Sequence, residues 1–326
     1  MNSFEKLQVQ FSANLTSPYY HLVSDELPNH VKYLYTFRTI DQFINDLDFY
    51  LKNYNIVDLH QVIDYVKVGK PLPINPLFLS FDDGFREVYD IVVPILYSKG
   101  VPATFFVTKQ FIDNKELFYR NKASLLLSHI DTNPLLLKKI SDFLGDLSVP
   151  TSNILSHILS IDYNSRTLLD NIAMHIGLDY QKYLDTQSPY LTSSQIKAII
   201  EKGFTIGSHS VDHPKYNLLT LSEQVEQTRL GMEYVQHQFN LTYKVFAFPF
   251  NDNRISTRFY KIMKNENILD ISFGSSGMVS DLAMNNLQRC SFDNMQKTAS
   301  EILCQYYVEK QNRLIIGKDL IKRPFC

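Results

Sequence analysis

The chain has no tryptophan, only three cysteines among 326 residues, no block of like charge and no long apolar run. Each absence removes a class of protein. Cys290, Cys304 and Cys326 lie late in the chain without CxxC spacing. They read as free thiols of a reducing compartment rather than a disulfide framework or a zinc knuckle. Thirty-two basic residues against 34 acidic ones leave a formal charge of −2, so neither nucleic acid nor an anionic membrane is expected as the main partner. No stretch reaches the roughly 18 apolar residues of a membrane span. The opening "MNSFEKLQVQFSANLTS" shows neither a basic n-region nor an apolar h-region, and a cytoplasmic location is the expectation. What the chain does have is 44% apolar residues, enough to fill the core of one large domain or two ordinary ones.

Strand-like and helix-like periods alternate along it. "HVKYLYTF" reads as a strand before the helical spacing of Ile40, Phe43, Ile44, Leu47 and Leu51. "LFLSF" is a short run without polar alternation, as expected of a strand covered on both faces. A helix follows Gly84, interrupted near Pro94 and closed by Gly100. "PATFFVT", "FTIGSHS", "YKVFAFPF" and "ILDISFG" read as further strands. Between them fall helices whose starts carry capping boxes, Thr192 with Gln195 and Thr220 with Glu223. This alternation predicts an α/β protein with a mainly parallel sheet, either a barrel or a doubly wound sheet. About ninety residues separate two of the strands, far more than one crossover needs. We read 1–326 as a single domain and residues 113–189 as a helical insertion within it, acting as a cap or as the contact of a homo-oligomer.

Chemistry-bearing residues collect at predicted strand ends. "LFLSFDDGF" places Asp82 and Asp83 side by side after an apolar run, with Gly84 behind them to let the chain turn. On a strand the two carboxylates would diverge; in a turn both reach one cavity. Taken alone, Asp-Asp-Gly is also what an exposed turn looks like. "GSHSVDHP" adds His209 and His213, four positions apart, with Pro214 disfavouring helical geometry at His213. Two imidazoles and a carboxylate make the three-ligand count of a catalytic zinc-type ion that keeps one position open. That donor set points to a divalent metal, zinc first.

"SFDDG" followed by "HSVDHP" resembles the first two motifs of the polysaccharide deacetylase family, the NodB-homology carbohydrate esterases. The resemblance covers about residues 18 to 290 with the insertion set aside, and "SPYYHLVSD" is similar to the family's first barrel strand. It implies a distorted (β/α) barrel with fewer than eight units and hydrolysis of an N-acetyl group on a sugar or glycan. By the same resemblance Asp82 is the general base, and Asp83, His209 and His213 are the metal ligands, with Ser210 bracing their loop. The Phe250 N–H of "FAFPF" would stabilise the oxyanion. The implied partner is an N-acetylated carbohydrate.

Two departures stand against the pattern. Ala247 replaces the third-motif arginine that normally pairs with the base, and Arg289 is the candidate to supply that charge from a later strand. No histidine follows His237, so the late histidine that protonates the leaving amine is absent, and His21 is the candidate in its place. These departures motivate an alternative, a metal- and carbohydrate-binding barrel without turnover. Hydrolysis of some other amide on the same scaffold is a third reading.

Overall fold

The computed structural model describes residues 3–145, 153–283 and 285–325. Eight short strands form one parallel sheet: β1 (Pro18–Tyr20), β2 (Ser80–Phe81), β3 (Thr104–Val107), β4 (Thr205–Ser208), β5 (Val245–Ala247), β6 (Ile271–Gly274), β7 (Asn286–Gln288) and β8 (Cys290–Ser291). Their order is β7-β6-β5-β4-β3-β2-β1-β8. The two outermost strands are consecutive pieces of one run, parted by Arg289 alone. β7 pairs with β6 and β8 pairs with β1, so this run closes the sheet into a ring. At the seam the Arg289 N–H donates to the Gly274 carbonyl and the Cys290 N–H to the Ser17 carbonyl. The result is the expected distorted barrel with one position fewer than a full eight.

Why these segments form these elements is legible locally. Threonine capping boxes start the helices Ile40–Asn53, Ser193–Glu201 and Leu221–Phe239, each such cap being worth about 0.5–2 kcal/mol. Pro94 cannot donate a hydrogen bond, and the chain accommodates it with a π-turn over Val88–Val92 before the helix Val93–Lys99. In one core cluster Phe78 stacks on Phe273 with centroids 5.0 Å apart, and Phe106 packs on Phe273 at a tilt, 5.6 Å away. Cys290 is buried, Cys304 is half-buried, and both are free; Cys326 lies outside the described residues. Among the described residues no helix is long and apolar enough to cross a membrane.

One expected strand is absent. Residues 30–34 form turns and residues 35–37 run on without regular structure. Their backbone is engaged by side chains: Asn121 Nδ2 donates to the His30 carbonyl, Ser124 and Ser128 hydroxyls donate to the Asn29 carbonyl, and Ser124 Oγ accepts the Tyr33 N–H. Val31 and Phe37 bury themselves against helices from a different part of the chain. Those helices, Tyr119–Thr132, Leu136–Phe143, Ile154–Ser160, Thr167–Ile176 and Tyr180–Gln187, occupy the span read as an insertion. They share a core around Leu126, Ile140, Ile158 and Leu169. Residues 146–152 of that span lie outside the described residues.

Candidate active site

The strand ends β2 and β4 bring the two sequence motifs together. Beyond β2 the backbone turns left-handed at Asp83 (φ 70°) and again at Gly84 (φ 70°). A Cβ at position 84 would meet Val107 Cγ1 at 3.1 Å, so glycine serves both the turn and the close approach. With the strand broken there, both carboxylates face one cavity. Ser210 (φ 74°), His213 (φ 61°) and Phe250 (φ 58°) are also left-handed. Such conformations cost non-glycine residues about 1–3 kcal/mol each and gather at functional sites.

Three donor atoms converge. Asp83 Oδ1 lies 3.1 Å from His213 Nε2 and 3.4 Å from His209 Nε2, and the two Nε2 atoms are 3.1 Å apart. His209 Nδ1 sits 2.8 Å from the Ala247 carbonyl, which can only accept, so the proton is on Nδ1 and the Nε2 lone pair faces inward. Burial keeps His213 neutral by lowering its pKa. Asp83 Oδ1 is buried without a hydrogen bond of its own. Three lone-pair donors facing one another in a buried space repel unless something positive lies between them. The set therefore fits a divalent cation. Ser210 Oγ accepts the His213 N–H at 3.0 Å and holds the loop.

Asp82 is occupied differently. Its two oxygens accept from Arg289 Nη1 and Nη2 at 2.7 Å each, a bidentate pair with both side chains buried. Arg289 also donates to Ser80 Oγ and the Gly274 carbonyl, and its guanidinium lies 4.5 Å from the centroid of the Tyr19 ring. Burial alone would raise the Asp82 pKa, but the guanidinium outweighs it and holds the carboxyl below its usual range. The charge that Ala247 lacks thus arrives from the seam between β7 and β8.

His21, just past β1, meets Asp293, just past β8. Its Nδ1 lies 2.5 Å from Asp293 Oδ2, and its backbone N–H donates to Oδ1. Burial works to lower the imidazole pKa, yet the Asp293 carboxylate lifts it to about 10, so His21 carries its proton at neutral pH. Asp293 went unnoticed in the sequence; its signal was only that of an acid following a predicted strand.

His21, Asp82, Asp83, His213 and Phe250 line a cavity of about 270 Å³, whereas His209, the third member of the triad, is not among its lining residues. The lining residues that were not singled out in the sequence include Tyr35, Phe118, Arg120 and Ser275. Phe118 and Arg120 come from the helical span, and Phe118 packs 4.3 Å (centroid to centroid) from the His213 ring. Ser275 Oγ donates to the Phe250 carbonyl and fixes that wall.

Comparison with known proteins bears on family and fold. Residues 69–268 match the family model described as polysaccharide deacetylase. No curated protein sequence matches the chain. Among solved structures, the deacetylase PplD of Streptococcus pyogenes, determined with acetate, is 15% identical with a TM-score of 0.57, covering 90% of this chain and 97% of that one. IcaB of Ammonifex degensii is 14% identical with a TM-score of 0.56, covering 90% and 97%. A de-N-acetylase of Aggregatibacter actinomycetemcomitans is 16% identical with a TM-score of 0.54, covering 90% and 99%. At these identities the likeness is one of fold.

Proposed function

The chain belongs to the polysaccharide deacetylase family, and from that premise we propose that it removes an N-acetyl group from a sugar or glycan intermediate with the help of a divalent cation, zinc being the expected metal. The observation that carries the reading is the convergence of a cation-fitting triad, the Arg289-paired carboxylate of Asp82 and the Asp293-paired imidazole of His21, with Asp83, His213, Asp82 and His21 lining one cavity. Asp83, His209 and His213 would hold the metal. Such an ion polarises a carbonyl and lowers the pKa of water, toward about 7 in the best zinc cases.

The chain's own residues supply the proton traffic. Asp82, kept ionised by Arg289, takes a proton from water as the water oxygen attacks the acetyl carbon. The Phe250 N–H is the candidate donor to the oxyanion. His21, charged through Asp293, gives its proton to the amine nitrogen as the C–N bond breaks, and acetate and the free amine leave. Both departures noted in the sequence have substitutes in space, Arg289 for the missing arginine and His21 for the missing late histidine. Turnover is therefore favoured over a binding-only barrel. We read the helical span 113–189 as a cap, since it contributes Phe118 and Arg120 to the cavity wall.

The direct test is acetate release from N-acetylated chitooligosaccharides by metal-loaded protein. It should vanish with a chelator and return when zinc is restored. Stoichiometric metal and saccharide binding without acetate release from a broad panel would instead establish a binding barrel. A second test addresses the acid. With His21 titrating near 10, kcat/KM should hold on the alkaline side until about pH 10 and fall as the imidazole deprotonates. Asp293→Asn removes the group that raises that pKa, so the alkaline limb should move down toward or below neutrality. An unmoved limb would remove His21 from the acid role.

A further inference from the structure

Two polar groups in the cavity have no part in the hydrolysis derived above. Arg120 lies in the first turn of the helix Tyr119–Thr132, where the helix dipole disfavours a cation. No acid stands in that turn, and Phe118 at the N-cap makes no side-chain bond to the free N–H groups. The arginines whose side chains are fully covered hold carboxylates, Arg38 holding Asp46, Arg289 holding Asp82, and Arg323 holding Asp252 and Asp281, whereas Arg120 is half-buried. Among the described residues no carboxylate pairs with Arg120. Its recorded hydrogen bond runs from Nη1 to the Leu159 carbonyl, which fixes the guanidinium while leaving donors for something else. Lys215, also without a carboxylate partner among the described residues, lies 5.2 Å over the ring of Phe250, another wall of the cavity.

The second group is Tyr35. Its hydroxyl oxygen is buried without a hydrogen-bond partner, and the residue lines the same cavity. A buried hydroxyl left unpaired is costly. Burial, with Asp83 and Asp293 nearby, keeps its proton in place, so it is a donor awaiting an acceptor. Of the carboxylates around it, Asp293 is matched by His21, Asp83 belongs to the cation-fitting triad, and burial pushes the Glu87 carboxyl toward its neutral form. Arg120 and Tyr35 remain as donors of the cavity lining without an acidic partner among the described residues.

We propose that Arg120, presented by the helical cap, binds an anionic group of the substrate beside the acetamido sugar, with the Tyr35 hydroxyl as a further donor to the same ligand. The substrate is then an acidic N-acetylated saccharide that bears a carboxylate or a phosphate. A planar guanidinium suits either anion through paired N–H donors. This inference rests on the deacetylase reading for the identity of the sugar, but its test is a binding measurement that does not depend on turnover.

Calorimetric titration of the metal-loaded protein with three sugars of similar size makes the comparison: N-acetylglucosamine, N-acetylmuramic acid and N-acetylglucosamine 6-phosphate. At least one acidic sugar should bind about 10-fold or more tightly than the neutral one, as a charge-assisted hydrogen bond of about 1.5–3 kcal/mol implies. Whichever acid is preferred identifies the anion. Arg120→Met should erase the difference between acidic and neutral sugars without changing metal content, and Arg120→Lys should restore it only in part. Indifference of the wild-type protein to charge, including failure to bind any of the three, would overturn the proposal. So would an Arg120→Met variant that weakens neutral and acidic sugars by the same factor, because the arginine would then be shaping the wall or holding sugar hydroxyls. Absence of acetate release with the charge preference intact would count against the deacetylase reading alone.

Discussion

Asp82→Asn is expected to lower acetate release by about 10²–10⁴-fold, the usual contribution of a positioned general base, while bound metal stays stoichiometric. Asparagine has nearly the shape of aspartate and can still accept from Arg289, but it cannot take a proton from water. Asp83→Ala should do the opposite in one respect. It removes the carboxylate oxygen that sits within 3.4 Å of both Nε2 atoms, so the metal should go, and activity with it. Metal analysis and acetate assays on the two variants side by side make the test. Retention of both metal and full activity in both variants would dismantle the division of labour between the paired aspartates.

Arg289→Met should be the most destabilising single change at the site. It leaves Asp82 buried with no counter-charge, a situation that typically costs about 3–5 kcal/mol. Activity should also fall, because burial without the guanidinium pushes the Asp82 pKa upward and the base becomes protonated nearer neutral pH. Arg289→Lys should recover little, since an ammonium cannot make the two parallel bonds to Asp82 together with those to Ser80 and Gly274. Denaturant midpoints and the pH dependence of residual turnover separate the two effects. A midpoint within error of wild type would mean that the bidentate pair contributes nothing net.

Much of this site could be read in the sequence because its motifs are compact. Asp82, Asp83 and Gly84 are contiguous, and His209 and His213 span five residues, so each motif carries its own local geometry. The capped helices are equally local: Thr192 and Gln195 bond each other within one turn. What escaped was set by distance along the chain. His21 and Asp293 meet only because the last strand pairs with the first, and nothing near either residue announces the other. Arg289 could be offered as the charge partner of Asp82, but the bidentate contact between them exists only because the ring closes. The segment 30–37 is rich in aromatic and apolar residues as a strand is, yet side chains of Asn121 and Ser124 bond the His30 carbonyl and the Tyr33 N–H and keep it out of the sheet. Arg120 and Phe118 were hidden for a different reason: amphipathic helices advertise packing, and nothing in their period tells which end overlooks a cavity.

Arg289 stands at the residue where the closing run changes neighbours from β6 to β1. Any fraying of the barrel wall at that point draws the guanidinium away from Asp82 while β2 and β4, which carry the cation-fitting triad, stay paired to β3 between them. Loss of catalysis and loss of the metal should therefore come apart on gentle denaturation. With rising urea, turnover should fade first and the cation should leave later, with the deacetylase passing through a folded, loaded and idle form.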